Sequence, residues 1–167
     1  MADDQVPKWE GDFRILALDG GGIRGLFSAA VLAFLEQDLD VRITDHFDLI
    51  TGTSTGGIIA IGLGLGLRPS ELVEFYTGKG PGIFPASRWR LGRWRRFVRW
   101  LRRHKYDSGP LESSLNEAIG GRSFGSSTKR LVIPSYDLGH DQVRVFRTPH
   151  HPRLRRDWRI PAWKVAM

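Results

Sequence analysis

Residues 47–57 read FDLITGTSTGG. The first five residues, Phe47 to Thr51, are mostly apolar and short, as a buried strand is. Gly52-Thr53-Ser54-Thr55-Gly56 then fits G-x-S-x-G, and Ser54 to Leu67 continues as an apolar run interrupted only by small residues. A strand that turns sharply into a buried helix is a building block of a parallel α/β sheet. In such a turn the residues two positions either side of the serine must lack side chains, because the backbones pass very close. A nucleophile at the tip of the elbow and a structural turn with an incidental serine both remain open on these residues alone.

Upstream, Leu18 to Gly25 reads LDGGGIRG. It follows Phe13 to Leu18 (FRILAL), a second buried strand, and precedes Leu26 to Leu39, an apolar-periodic helix with Leu32, Leu35 and Leu39 on one side. Downstream, a helix is expected from Pro69 to Thr77, and a glycine- and proline-rich loop from Gly78 to Pro85. A turn at Asp107 to Pro110 leads into a helix from Leu111 to Ile119. A third strand is expected within Lys129 to Tyr136, ending near Pro134, and a more exposed one at Gln142 to Arg147. Strands alternating with helices predict an α/β class with a mainly parallel central sheet.

The chain has 167 residues, enough for one domain with a core, and no cysteine, which excludes disulfides and thiolate metal sites. The N-terminus lacks a secretion-signal pattern, and the longest apolar run, Ile58 to Leu67, is too short to span a bilayer. The expectation is a cytoplasmic protein, peripheral at the inner face of the membrane. The net charge of +7 is local. Between Glu74 and Asp107 lie ten of the 25 basic residues and no acidic one, which leaves 15 basic against 18 acidic residues elsewhere.

Gly20, Gly22 and Gly25 satisfy G-x-G-x-x-G, a dinucleotide fingerprint when an acidic residue follows at a strand end about twenty positions on. Asp38 and Asp40 have that spacing but fall at the end of a predicted helix. Backbone N–H groups of a glycine turn at a helix start bind anions of any kind, an oxyanion included. With a serine elbow next in the chain, the loop reads better as an oxyanion hole. A non-catalytic nucleotide- or anion-binding regulatory module is the alternative.

DGGGIRG at 19–25 followed by FDLITGTSTGG at 47–57 resembles the patatin-like phospholipases. PSELVEFY at 69–76, KYDSGPLESSL at 105–115 and LVIPSYDL at 131–138 fit the same pattern. The resemblance runs from about Phe13 to the last residue. It implies a three-layer α/β/α fold and a lipid acyl hydrolase that cleaves phospholipid or other acyl-ester substrates without metal or organic cofactor. It implies Ser54 as nucleophile and the Gly21 and Gly22 N–H groups as oxyanion hole. Asp19, Gly20, Gly25, Gly52 and Gly56 support the two motifs, and Arg24 fills the basic position of the loop.

A serine needs a base. The family uses an aspartate in a downstream D-G-G or D-G-A motif, and the only Asp-Gly pair here is Asp19-Gly20. Asp107, Asp137, Asp141, Asp157 and the pair His150-His151 follow the serine, but each reads more simply as a loop or surface residue. His46 and His140 lack ligand-spaced partners. The expectation is therefore a tail at 1–12 and, from residue 13 to 167, the N-terminal portion of a catalytic domain whose aspartate lies beyond this chain, leaving the chain by itself inactive.

Residues 88–105 read RWRLGRWRRFVRWLRRHK. On a helix, Trp94, Phe97, Val98 and Leu101 form one stripe, while Arg95, Arg96, Arg99, Arg102 and Arg103 take the opposite arc. A basic interfacial insert at about 86–105 touching an anionic membrane surface is expected. Packing on the core and nucleic-acid binding are the competing readings, and no nucleic-acid partner is expected.

Overall fold

A computed structural model describes residues 11–83 and 108–167. Its sheet has four strands in the order β1 (Ile15–Leu18), β2 (Leu49–Gly52), β3 (Arg130–Asp137) and β4 (Gln142–Arg147). The first three run parallel, with Ile15 opposite Leu49 and Leu49 opposite Arg130. β4 turns back antiparallel on β3, from Asp137 opposite Gln142 to Val132 opposite Arg147. Parallel neighbours need long crossovers, and helices supply them. α1 (Gly25–Leu39) joins β1 to β2, and α2 (Thr55–Gly64), α3 (Pro69–Ile83) and α4 (Ser108–Ile119) lie between β2 and β3. A short α5 (Ala162–Ala166) follows β4. The α/β class and the mainly parallel sheet are as the sequence predicts.

The core centres on α2, all of whose residues are buried. Ile50 of β2, Leu131 of β3, Ile59 and Ile61 of α2, Tyr76 of α3, Leu115 of α4 and Phe124 pack in one cluster. A helix apolar on every side belongs inside a protein, and the IIAIGLG run of α2 meets that requirement. No helix among the described residues is long and apolar enough to cross a membrane.

Four expectations are corrected. The turn read at Asp107 to Pro110 is already helix from Ser108, and the strand read as ending near Pro134 runs on to Asp137, because β4 pairs with it that far. The stretch from Gly78, read as a loop to Pro85, continues α3 as far as Ile83. Glycine and proline penalise a helix without forbidding one, and propensity is a weak prior once a helix is already under way. The single apolar side expected for α1 is also too simple. Leu32 and Ala29 are buried and Leu35 is half-buried, but Leu39 is exposed, and Phe27 and Phe34 stand 75% and 64% exposed on another face. Apolar residues run nearly all round this helix, so a stripe chosen from three leucines was only one of several available.

Candidate active site

Ser54 stands between the end of β2 and the start of α2 with φ 53° and ψ −125°. L-residues avoid this region, and holding one there costs on the order of 1–3 kcal/mol. The surroundings impose it. Gly56 N–H donates to the Thr53 carbonyl at 2.9 Å, Thr53 N–H to the Leu18 carbonyl at 3.3 Å, and Ile58 N–H to the Ser54 carbonyl at 3.1 Å. The turn is closed backbone against backbone. A methyl group on Gly56 would collide with the Leu18 carbonyl and come within 2.8 Å of the Asp19 carbonyl oxygen. One on Gly52 would collide with the Gly56 carbonyl. The two glycines flanking Ser54 are therefore required by close approach of main chain.

The loop after β1 meets this elbow. A Cβ on Gly20 would lie 2.9 Å from the Ser54 Cβ and 2.7 Å from the Thr53 carbonyl oxygen. Glycine loop and serine thus lie at the same end of the sheet, in contact. Gly21 (φ 155°) and Gly22 (φ 62°) adopt positive φ and lead into one 3-10 turn, Gly22–Arg24, from which α1 begins at Gly25. Gly21 N–H donates to the Thr55 hydroxyl at 3.1 Å. The Gly22 N–H has no acceptor among the described residues. Arg24 N–H donates to the Gly21 carbonyl at 3.3 Å, and its side chain lies alongside Gly21. Asp19 is exposed. Asp38 and Asp40 sit at the far end of α1, and Asp40 caps it. Fifteen helical residues separate that end from the glycine loop by about 22 Å. The dinucleotide arrangement, with Asp38 or Asp40 beside the loop, is not formed.

The aspartates and imidazoles described after Ser54 are engaged elsewhere. Asp137 Oδ1 accepts Gly139 N–H at 2.9 Å, and Oδ2 lies 2.8 Å from His140 Nδ1. The His140 contact holds the Asp137 carboxyl below its ordinary range. This pair forms the β3–β4 turn, and Asp137 lies five residues beyond Val132, which is opposite Thr51. Asp141 accepts a hydrogen bond from the Tyr136 hydroxyl. Asp157 is buried beyond β4, where it accepts Arg156 Nε–H at 2.9 Å and Arg147 N–H at 3.2 Å. His150 Nδ1 lies 3.3 Å from the Thr148 hydroxyl, and burial, with Arg130 nearby, pushes its pKa down. His151 Nδ1 accepts Arg153 N–H at 3.2 Å. Asp107 and the arginine–tryptophan segment, with Trp94, Arg95, Arg96, Arg99, Arg102 and Arg103, lie outside the described residues.

Sequence reasoning overlooked Thr55 and Tyr76. Thr55 takes the Gly21 N–H on its hydroxyl and the Tyr76 O–H on its carbonyl, the latter at 3.1 Å. A buried tyrosine needs a partner for its hydroxyl, and that was the one available signal. It could not name a partner 21 residues away.

Known proteins bear on the same region. The family model described as patatin-like phospholipase matches residues 16–159. A cGAMP-activated phospholipase of Escherichia coli (strain TW11681) is 40% identical over 152 residues, covering 86% of this chain and 42% of that protein. A protein of the same name from Vibrio cholerae is 38% identical, covering 92% of this chain and 46% of its own length. Patatin-like protein 2 of Oryza sativa subsp. indica is 37% identical, covering 79% of this chain and 36% of the relative. The chain thus spans less than half the length of these curated relatives. In fold it resembles a chain of the heterodimeric ExoU–SpcU complex of Pseudomonas aeruginosa, with TM-score 0.54 at 21% identity, covering 92% of this chain and 36% of that one. With a family model matched from β1 to beyond β4, the chain belongs to the patatin-like phospholipase family.

Proposed function

We propose that this chain contributes the nucleophile and the oxyanion-binding loop of a serine lipid acyl hydrolase. The observation that carries the reading is the strained elbow at Ser54, held by main-chain contacts with Gly20 of the glycine loop directly against it. Strain of this kind persists only where the surroundings over-determine it, and it concentrates at working sites. Family membership supports the reaction class, hydrolysis of a lipid ester.

In the mechanism, Ser54 Oγ attacks the ester carbonyl and the alcohol portion of the lipid leaves. Water then hydrolyses the acyl-enzyme. The tetrahedral oxyanion rests on N–H groups of the glycine loop. Gly22 N–H is open to it; Gly21 N–H joins only by exchanging or sharing its bond to Thr55. The start of α2 adds the positive end of a helix dipole beside the developing charge. The base that activates Ser54 is an aspartate of a Ser–Asp dyad, as the resemblance implies. Because the aspartates described after Ser54 are committed to other groups, the reading puts the dyad aspartate outside the described residues.

A fluorophosphonate probe tests this on the full-length protein. Labelling is expected at Ser54 and absent from Ser54→Ala. Tight NAD binding with no labelling would favour the regulatory-module alternative. The names of the bacterial relatives make cGAMP the activator to include in that assay. We also propose that residues 88–105 hold the enzyme at anionic lipid, each basic residue adding on the order of 1 kcal/mol near the surface. Flotation with vesicles is expected to require anionic lipid and to weaken when Arg95, Arg96 and Arg99 become serine. Flotation indifferent to lipid charge would remove the membrane role.

A further inference from the structure

Three separate segments meet at Thr55. It is the first residue of α2 and follows Ser54 directly. Only 2% of it is exposed. Its hydroxyl accepts the Gly21 N–H at 3.1 Å, which ties down the glycine loop. Its carbonyl accepts the Tyr76 hydroxyl at 3.1 Å, which ties it to α3. Tyr76 is fully buried, and burial pushes its phenol well above the ordinary value, so it stays a neutral donor. The start of α1 closes over the pair: a Cβ on Gly25 would lie 3.0 Å from the Thr55 Cβ and 3.3 Å from the Tyr76 hydroxyl.

These contacts constrain the oxyanion loop. Gly21 has a backbone conformation that no local helix or strand enforces, with φ 155°. Glycine at such a position is free to rotate unless something holds its N–H or carbonyl. The Thr55 hydroxyl holds the N–H, and Arg24 N–H holds the carbonyl. With Gly21 fixed at both ends, the direction of the next peptide, Gly22 N–H, is fixed as well. An oxyanion donor must be within a few tenths of an ångström of its place before the reaction starts.

We propose that Thr55 is a positioning residue, whose hydroxyl latches the glycine loop onto the helix that carries Ser54 while Tyr76 holds the helix side of the latch. The proposal rests on the reading of Ser54 as nucleophile. The second threonine of the elbow thereby acts through Gly21 and touches no substrate.

The test compares Thr55→Val, Thr55→Ser and Tyr76→Phe in the full-length protein. Fluorophosphonate labelling of Ser54 should slow by about 10–100-fold in Thr55→Val, the range for a small misplacement at a reacting centre. Thr55→Ser keeps the hydroxyl and should recover most of the rate. Ester hydrolysis should lose kcat with KM nearly unchanged, because only the transition state uses the oxyanion contact. Independently of chemistry, exchange of the Gly21 amide proton should accelerate at least about tenfold in Thr55→Val and little in Thr55→Ser. If Thr55→Val does not fold, Tyr76→Phe must show the same kcat loss in weaker form. A folded Thr55→Val that labels as fast as wild type overturns the proposal. So does one that labels faster, which would make the released Gly21 N–H the true oxyanion donor. If wild type itself is not labelled, the reading of Ser54 fails and the positioning role falls with it, even where Gly21 exchange responds as expected.

Discussion

Replacing Ser54 with alanine in the full-length protein is expected to lower acyl-ester hydrolysis by about 10⁴–10⁶-fold, the scale on which a hydrolase loses its nucleophile. Steady-state kinetics on a short-chain ester would measure it. A drop of less than tenfold would show that another group attacks the substrate. The same position makes a second, opposite statement about stability. Alanine has a Cβ and inherits the strain at φ 53°, ψ −125°, whereas glycine does not. Ser54→Gly should therefore be inactive yet more stable than Ser54→Ala by about 1 kcal/mol, or roughly 2–4 °C in melting temperature. Equal melting temperatures would mean that the elbow is unstrained in solution.

The second large effect belongs to Gly56. Its Cα faces the Leu18 and Asp19 carbonyls across the junction of β1, β2 and α2. Gly56→Ala puts a methyl group where main chain already is, and main chain cannot rotate aside as a side chain does. The expected loss is on the order of 3–5 kcal/mol, enough to prevent folding of a marginally stable protein. Gly78→Ala is the control. It lies in α3 with nothing within 4 Å of the added methyl group. There alanine should stabilise by up to about 1 kcal/mol, through helix propensity alone. Urea unfolding of both variants checks the contrast. A Gly56→Ala protein as stable as wild type would show that the strand–helix junction is looser than it looks.

Much of this was legible because the signals were local. FRILAL and FDLIT are short apolar runs with glycine close behind; the structure keeps a strand at Ile15–Leu18 inside the first, and one at Leu49–Gly52 that runs a residue past the second. The alternation in QVRVFR marks β4 to the residue. Gly52 and Gly56 of the serine motif and Gly20 of the loop record backbone approaches, and those approaches exist, while Gly25 makes room for the Thr55 and Tyr76 side chains. What stayed hidden depends on contacts between distant residues. Nothing in the stretch PSELVEFY shows that the last tyrosine reaches back to Thr55, nor in ITGTSTGG that the second threonine accepts from Gly21, 34 positions earlier. His140 has no partner at metal-ligand spacing, yet it pairs with Asp137 three residues before it, because a tight turn brings i and i+3 together. The continuation of α3 past Gly78 was hidden for another reason. Glycine and proline look the same in sequence whether they end a helix or are merely tolerated by it.

The complete enclosure of α2 has a consequence for how the proposed catalytic centre ages and fails. A helix with no solvent-facing side cannot peel away while the rest of the molecule stays intact, so its opening free energy lies near that of the whole domain. Heat should therefore erase chemistry and architecture together, with no inactive but folded form in between. Under the proposed reading, any slow breathing that admits a bulky lipid tail must then come from the elements surrounding Ser54 and not from the helix beneath it.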